Sequence, residues 1–178
     1  MKLMIAIAAA ALTCVPASAT VSAYFSSGSN CQGLPSAKFG TGGKDLNVTL
    51  CMSATEEAIC GHSVQLEAES AATSGRIQVA AHKQGDNYPD PTLEKLPAVI
   101  AITHPPSTHD FGGTRDNPFA PAANQVLVVF TLRPTVSVID ASYTIRLGKN
   151  SLVSVGKKGS CLENTEVPLS ASFKLERN

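Results

Sequence analysis

Tryptophan is absent from this 178-residue chain, and aromatic residues make up only 5% of it. That counts against a sugar-stacking platform, which is usually built on exposed Trp or Tyr; Tyr24, Tyr88 and Tyr143 are the only tyrosines. Charge is sparse as well. Charged residues are 16% of the chain, fourteen basic against fourteen acidic. With no basic run there is no electrostatic footprint for nucleic acid, and no polybasic patch for an anionic membrane. Catalytic signatures are also scarce. No HExxH is present, nothing resembles a three-histidine metal pattern, and there is no GxSxG nucleophile elbow. Long apolar runs are missing except at the start, so no segment has the length of a transmembrane helix.

The exception at the start is informative. Met1-Lys2 is followed by the apolar run Leu3 to Leu12, then Pro16 and the small-x-small triplet Ala17-Ser18-Ala19. This is the plan of a secretory signal peptide, cleaved after Ala19, and its short Ala-rich form looks bacterial. The expected protein is therefore Thr20 to Asn178, secreted or periplasmic, and the size of one domain. Cys14 leaves with the leader; Ala11-Leu12-Thr13 before it is a poor lipobox, which argues against acylation.

Export into an oxidising compartment turns Cys31, Cys51, Cys60 and Cys161 into expected disulfides. Four cysteines allow three pairings. Cys51 and Cys60 flank a short polar turn, Ser53 to Glu57, between two strand-like runs, and a Cys51–Cys60 bridge is the preferred reading. Cys31–Cys161 would then tie an early loop to a late one, contributing roughly 4–5 kcal/mol in the chain-entropy model. The spacing contains no CxxC and no close Cys–His pair, which argues against zinc.

Thirteen glycines and eleven prolines punctuate runs of alternating polarity. Leu46 to Met52 places Leu46, Val48, Leu50 and Met52 on one face, and His62 to Glu69 does the same with Val64, Leu66 and Ala68. Val21 to Phe25, Arg76 to Ala80, Ala98 to Thr103, Ser142 to Leu147, Ser151 to Val155 and Val167 to Leu175 also read as strands, with a turn at Gly148-Lys149-Asn150. Gln125 to Leu132 is almost wholly apolar and reads as a central strand. Pro168 cannot donate to a ladder, so its strand is expected to start at an edge or just after it. Residues 83–124 carry Pro89, Pro91, Pro97, Pro105, Pro106, Pro118 and Pro121 and read as one long Pro-rich loop region around the strand at 98–103. The expectation is an all-β single domain over residues 20–178. It is a two-sheet antiparallel sandwich, jelly-roll or immunoglobulin-like, of eight to nine strands with little helix.

The long loop is where chemistry would sit. His82, Asp86, Asp90, His104, His109, Asp110 and Asp116 lie there, and His104, His109 and Asp110 are the candidate metal ligands. Gly85 to Asp90 faintly echoes a calcium loop but lacks its central Gly and terminal Glu. Ser107, His109 and Asp110 are too close in an extended chain to converge as a triad. Tyr88, Phe111 and Phe119 are candidate binding aromatics. Asn47-Val48-Thr49 is a formal glycosylation sequon placed on a strand, and is discounted.

From Leu46 onward the order of features resembles cohesin-like domains and their carbohydrate-binding-module relatives. A hydrophobic strand is followed by a glycine at Cys60-Gly61, then by Val64-Gln65-Leu66-Glu67-Ala68. After a variable middle comes the strand Gln125 to Leu132, which resembles the family's strand before its closing hairpins. The resemblance implies a jelly-roll sandwich that binds a protein or glycan through one sheet face. The two expected disulfides and the lack of repeated modules depart from that pattern.

Three functional readings follow. The first is an exported, non-catalytic module binding a protein or a cell-surface or glycan component, with no cofactor unless calcium. The second is a metal-dependent hydrolase using the His/Asp loop 82–116. The third is a subunit of a surface assembly with an open edge strand.

Overall fold

The structure, a computed structural model, describes residues 21–39, 42–54, 58–70, 77–85, 100–102, 107–119, 124–134, 142–157 and 160–177. For Ile100–Ile102 and Ser107–Phe119 it describes the backbone. Twelve strand segments follow in chain order: β1 (Val21–Ser27), β2 (Ser36–Lys38), β3 (Leu46–Ala54), β4 (Ala58–Ser70), β5 (Ile77–Gln84), β6 (Ile100–Ile102), β7 (Ser107–Phe119), β8 (Gln125–Pro134), β9 (Tyr143–Leu147), β10 (Leu152–Lys157), β11 (Ser160–Pro168) and β12 (Ser172–Glu176). No helix occurs among the described residues.

The strands form two sheets. One has five strands in the order β1-β3-β8-β5-β6. The other has seven, in the order β11-β10-β4-β9-β12-β2, with β7 laid along β4. All pairings are antiparallel except the short parallel match of β2 with β12. The two-sheet sandwich expected from alternation is what forms. Alternation explains it directly, since each strand buries its apolar face against the opposite sheet.

The core lies between the sheets. Val48, Leu50 and Met52 of β3 and Val128, Phe130 and Leu132 of β8 come from the five-stranded sheet. They meet Val64 and Leu66 of β4, Ile145 of β9, Val153 of β10 and Phe173 and Leu175 of β12. Phe25 and Phe173 bridge the layers edge to face, ring centroids 6.3 Å apart at 66°, the arrangement the ring quadrupoles favour. Each such side chain contributes about 1.5–3 kcal/mol on leaving water.

Four expectations need correction. Residues 83–124 are not one loop around a single strand, because β7 contributes thirteen strand residues. Its sequence, with Gly112-Gly113 and Pro118, has no strand-like pattern. What holds it is the backbone ladder to β4, a context effect that outweighs propensity. Second, β3 and β4 are not a hairpin, since they lie in different sheets. Third, Gly148-Lys149-Asn150 is a turn, closed by Ser151 N–H donating to the Gly148 carbonyl (3.0 Å). It does not reverse the chain, however: β9 and β10 both run antiparallel to β4 along one edge. Fourth, the run 167–175 is interrupted, with Val167 and Pro168 ending β11 and β12 starting at Ser172. The alternation pattern also does not reveal β2, β7 or β11, which accounts for twelve segments instead of eight or nine.

Candidate functional site

Of the histidines and aspartates of the middle region, those among the described residues are divided between the two sheets. His82 is on β5, opposite Phe130 in the five-stranded sheet. His109 and Asp110 are successive positions on β7 in the other sheet, opposite Leu66 and Gln65. Asp116 also falls in β7. Phe111 pairs opposite Val64 and Phe119 opposite Ile59. Asp86, Tyr88, Asp90 and His104 lie outside the described residues, as does the leader with Cys14. Among the described residues no group of three or more His, Cys, Asp or Glu is placed to hold a metal ion. Ser154-Val155-Gly156-Lys157 has the Ser-x-x-Lys spacing of a nucleophile–base pair, but it forms the end of β10.

The cysteines correct the expected pairing. Cys51 is bonded to Cys31, not to Cys60 (Cα–Cα 5.7 Å). Cys60 is itself disulfide-bonded, and Cys161 lies in β11, its side chain outside the described residues. The reason is topological. Cys51 and Cys60 flank a crossing between sheets, not a hairpin turn, so closeness in sequence does not bring them together.

The Cys31–Cys51 bridge pins the loop after β1 onto the outer face of the five-stranded sheet. Several hydrogen bonds hold the same loop. Thr49 Oγ1 donates to the Gly28 carbonyl (2.7 Å) and Asn47 Nδ2 to Ser29 Oγ (2.8 Å). Gly33 N–H donates to Ser26 Oγ (2.7 Å) and Leu34 N–H to Ser27 Oγ (2.9 Å). Gly33 must be glycine, because a Cβ there would sit 1.9 Å from the Ser27 carbonyl oxygen. The Tyr24 hydroxyl donates to the Asn124 side-chain oxygen, and burial raises its pKa. As a result Ser26, Thr49 and Cys51, polar or outward positions by alternation, are each 0% exposed. The sequon is engaged here too: Asn47 also accepts from Thr131 Oγ1 (3.0 Å), and Thr49 is covered. Toward the far end of this face Arg133 grips Asp45 through two hydrogen bonds (2.8 and 2.9 Å), which holds the Asp45 carboxyl below its ordinary range.

Among the described residues the outer face of the seven-stranded sheet has no such cover. Ser63, Thr144, Arg146, Ser172, Lys174 and Glu176 are exposed, with Gln65 and Glu67 half-buried among them. Arg146 Nε donates to Glu67 Oε2 across the β9–β4 pair (3.0 Å). Lys174 lies 3.9 Å from Glu176. The surface is polar, close to neutral and carried on rigid strands. It suits a protein surface of complementary shape better than a small substrate, which needs a concave pocket.

Sequence reasoning passed over Ser151, the residue that keeps this face intact at its centre. Ser151 is 1% exposed. Its hydroxyl accepts from the Gln65 N–H (2.9 Å) and reaches the Gln65 carbonyl (3.2 Å). It thereby replaces the main-chain partner that β4 loses where β9 gives way to β10. A serine after a Gly-Lys-Asn turn was the available signal, but turns commonly contain serine.

No protein-family model matches this sequence, and no curated protein is similar to it in sequence. Solved structures are similar in fold. The third ScaB cohesin of R. flavefaciens, solved with a group 1 dockerin, superposes with a TM-score of 0.51 at 15% identity, over 90% of this chain and 96% of that one. The seventh ScaB type I cohesin from Pseudobacteroides cellulosolvens gives 0.51 at 11% identity, over 88% and 94%. A type I cohesin–dockerin complex from Clostridium thermocellum gives 0.51 at 12% identity, over 89% and 96%. The chain has a cohesin-like β-sandwich fold.

Proposed function

We infer that this cohesin-like sandwich is an exported, non-catalytic module that binds a protein partner through the outer face of its seven-stranded sheet. The observation that carries the reading is that face itself. It is an exposed polar surface on paired strands, uncovered among the described residues, whereas the opposite outer face is occupied by the chain's own loop. The fold neighbours support it, since two of those above were solved bound to dockerins. A dockerin-like module is the partner class they suggest for this chain. The neutral balance of charge and the placement of His82 and His109 on different sheets both favour binding over metal-assisted hydrolysis.

Native mass spectrometry of the protein from the exported fraction of its own host, purified gently and without chelator, tests this. The expected species begins at Thr20, lacks four hydrogens for two disulfides, and carries a protein partner that dissociates on activation. A stoichiometric metal ion in place of a partner would overturn the binding reading in favour of the hydrolase. A chain that still begins at Met1 would overturn export.

A further inference from the structure

Two neighbouring lines of chain in the seven-stranded sheet break at the same level. β9 passes into β10 through Gly148–Ser151, and β11 into β12 through Leu169–Ala171. The two breaks are tied to each other: Leu147 N–H donates to the Ala171 carbonyl (2.9 Å), and Leu169 N–H to the Ser151 carbonyl (2.9 Å). On the other side Gly148 N–H donates to the Gln65 carbonyl (2.7 Å). Leu147 pairs with Leu66 and Leu152 with Ser63. Between those pairs β4 has Val64 and Gln65, while the β9–β10 line has Gly148, Lys149, Asn150 and Ser151.

The surplus cannot lie within the ladder, because β4 flanks it on one side and the β11–β12 line on the other. Nor can it turn inward, where Val64, Leu147, Val153 and Leu169 fill the core. Gly148 and Ser151 are buried at the base, while Lys149 and Asn150 are exposed at the tip. The tip therefore stands out from the centre of the open face. Gly148 is held under Gln65 and Glu67, with 2.7 and 2.9 Å between an added Cβ and their side-chain oxygens. Of the cations on this face, Arg146 is paired with Glu67, Lys174 lies beside Glu176, and Lys38 stands at the β2 edge opposite Glu176 in register, away from the centre. Lys149 has no carboxylate partner among the described residues.

We propose that the Lys149–Asn150 tip is the specificity-determining projection of this face, and that the partner is a protein presenting a carboxylate to Lys149. The inference rests on the reading of this face as the docking surface. A partner covering the centre of the face takes the Lys149 ammonium out of water. Such a charge is tolerated only when the partner supplies an opposite one. An apolar or cationic surface of the same shape is thereby rejected.

A photo-cross-linking residue is placed at Asn150 and, separately, at Leu34 on the loop-covered side, in the full chain in its own host. The adducts are identified by mass spectrometry, and the captured protein is purified for affinity measurement. The expected result is an adduct from position 150. Lys149→Glu then weakens binding by about tenfold or more, Lys149→Met weakens it less, and reversing the partner's carboxylate restores affinity to Lys149→Glu. Thermal unfolding of both variants should match the parent, since the side chain is exposed. An adduct at 150 with both affinities within about twofold of the parent would overturn the charge reading and leave the docking face standing. Adducts from Leu34 alone, or from neither position, would overturn both.

Discussion

The two outer faces of this sandwich follow the same alternation and reach opposite ends. On the five-stranded sheet, outward Ser26, Thr49 and Cys51 are fully covered by the loop from Gly28 to Leu34. On the seven-stranded sheet, outward Thr144, Arg146 and Lys174 face solvent. Alternation states which side of a strand avoids the core, but not whether that side meets water or more chain. The covered face holds the fold together through a bridge and a set of hydrogen bonds. Among the described residues the open face stays exposed, and Ser151 repairs its ladder instead of covering it.

The comparison can be broken most forcefully at the bridge. Replacing Cys31 and Cys51 together by alanine should cost about 3 kcal/mol, the chain-entropy figure for a closed loop of this length; the two cysteines are 20 residues apart. Thermal or denaturant unfolding reads the loss. Hydrogen exchange should rise across 26–34 and at Thr49, with the seven-stranded sheet unchanged. A uniform rise across both sheets would show that the covered and open faces do not behave as separate units.

Ser151→Ala should sharpen the contrast from the other side. It leaves the buried Gln65 N–H without its acceptor, a loss of about 1–3 kcal/mol in denaturant unfolding. Faster amide exchange should be confined to the centre of the open face.

The smallest expected effect is at the Asp45–Arg133 pair. Arg133 depresses the Asp45 carboxyl through its hydrogen bonds and charge, so the folded state favours the ionised form. That contribution is present at pH above the unfolded carboxylate's pKa and fades as pH falls through the lower folded value. Arg133→Gln should therefore lower the melting temperature slightly at neutral pH and not at all in strong acid. Added salt should shrink the difference, because both side chains are well exposed. A difference that persists in strong acid would show that Arg133 acts through packing and not charge.

Much of the architecture was legible in advance. Val48, Leu50 and Met52, or Phe173 and Leu175, declare their inward face by spacing alone, and nine of the strands stand in place. What was not legible is instructive. β7 has no apolar alternation, and its strand state comes from backbone pairing with β4. The Cys51–Cys60 pairing failed because a short link between two alternating runs can close a hairpin or cross between sheets, and both look alike in one dimension. Of the described His/Asp candidates, His82 lies on β5 and His109, Asp110 and Asp116 on β7, so residues that share a stretch of chain belong to different sheets.

Local residue pattern alone specifies the class of object: a β-sandwich without indoles, basic runs or long apolar helices, whose strands each bury one face. That information is local, written in periodicity and composition, and periodicity follows from the two-residue repeat of an extended chain. The tertiary structure decided which cysteine meets which, which outer face is covered, and that Lys149 and Asn150 stand out from the middle of a sheet. Those outcomes depend on pairings between residues far apart in the chain, which are selected by the joint packing of two layers.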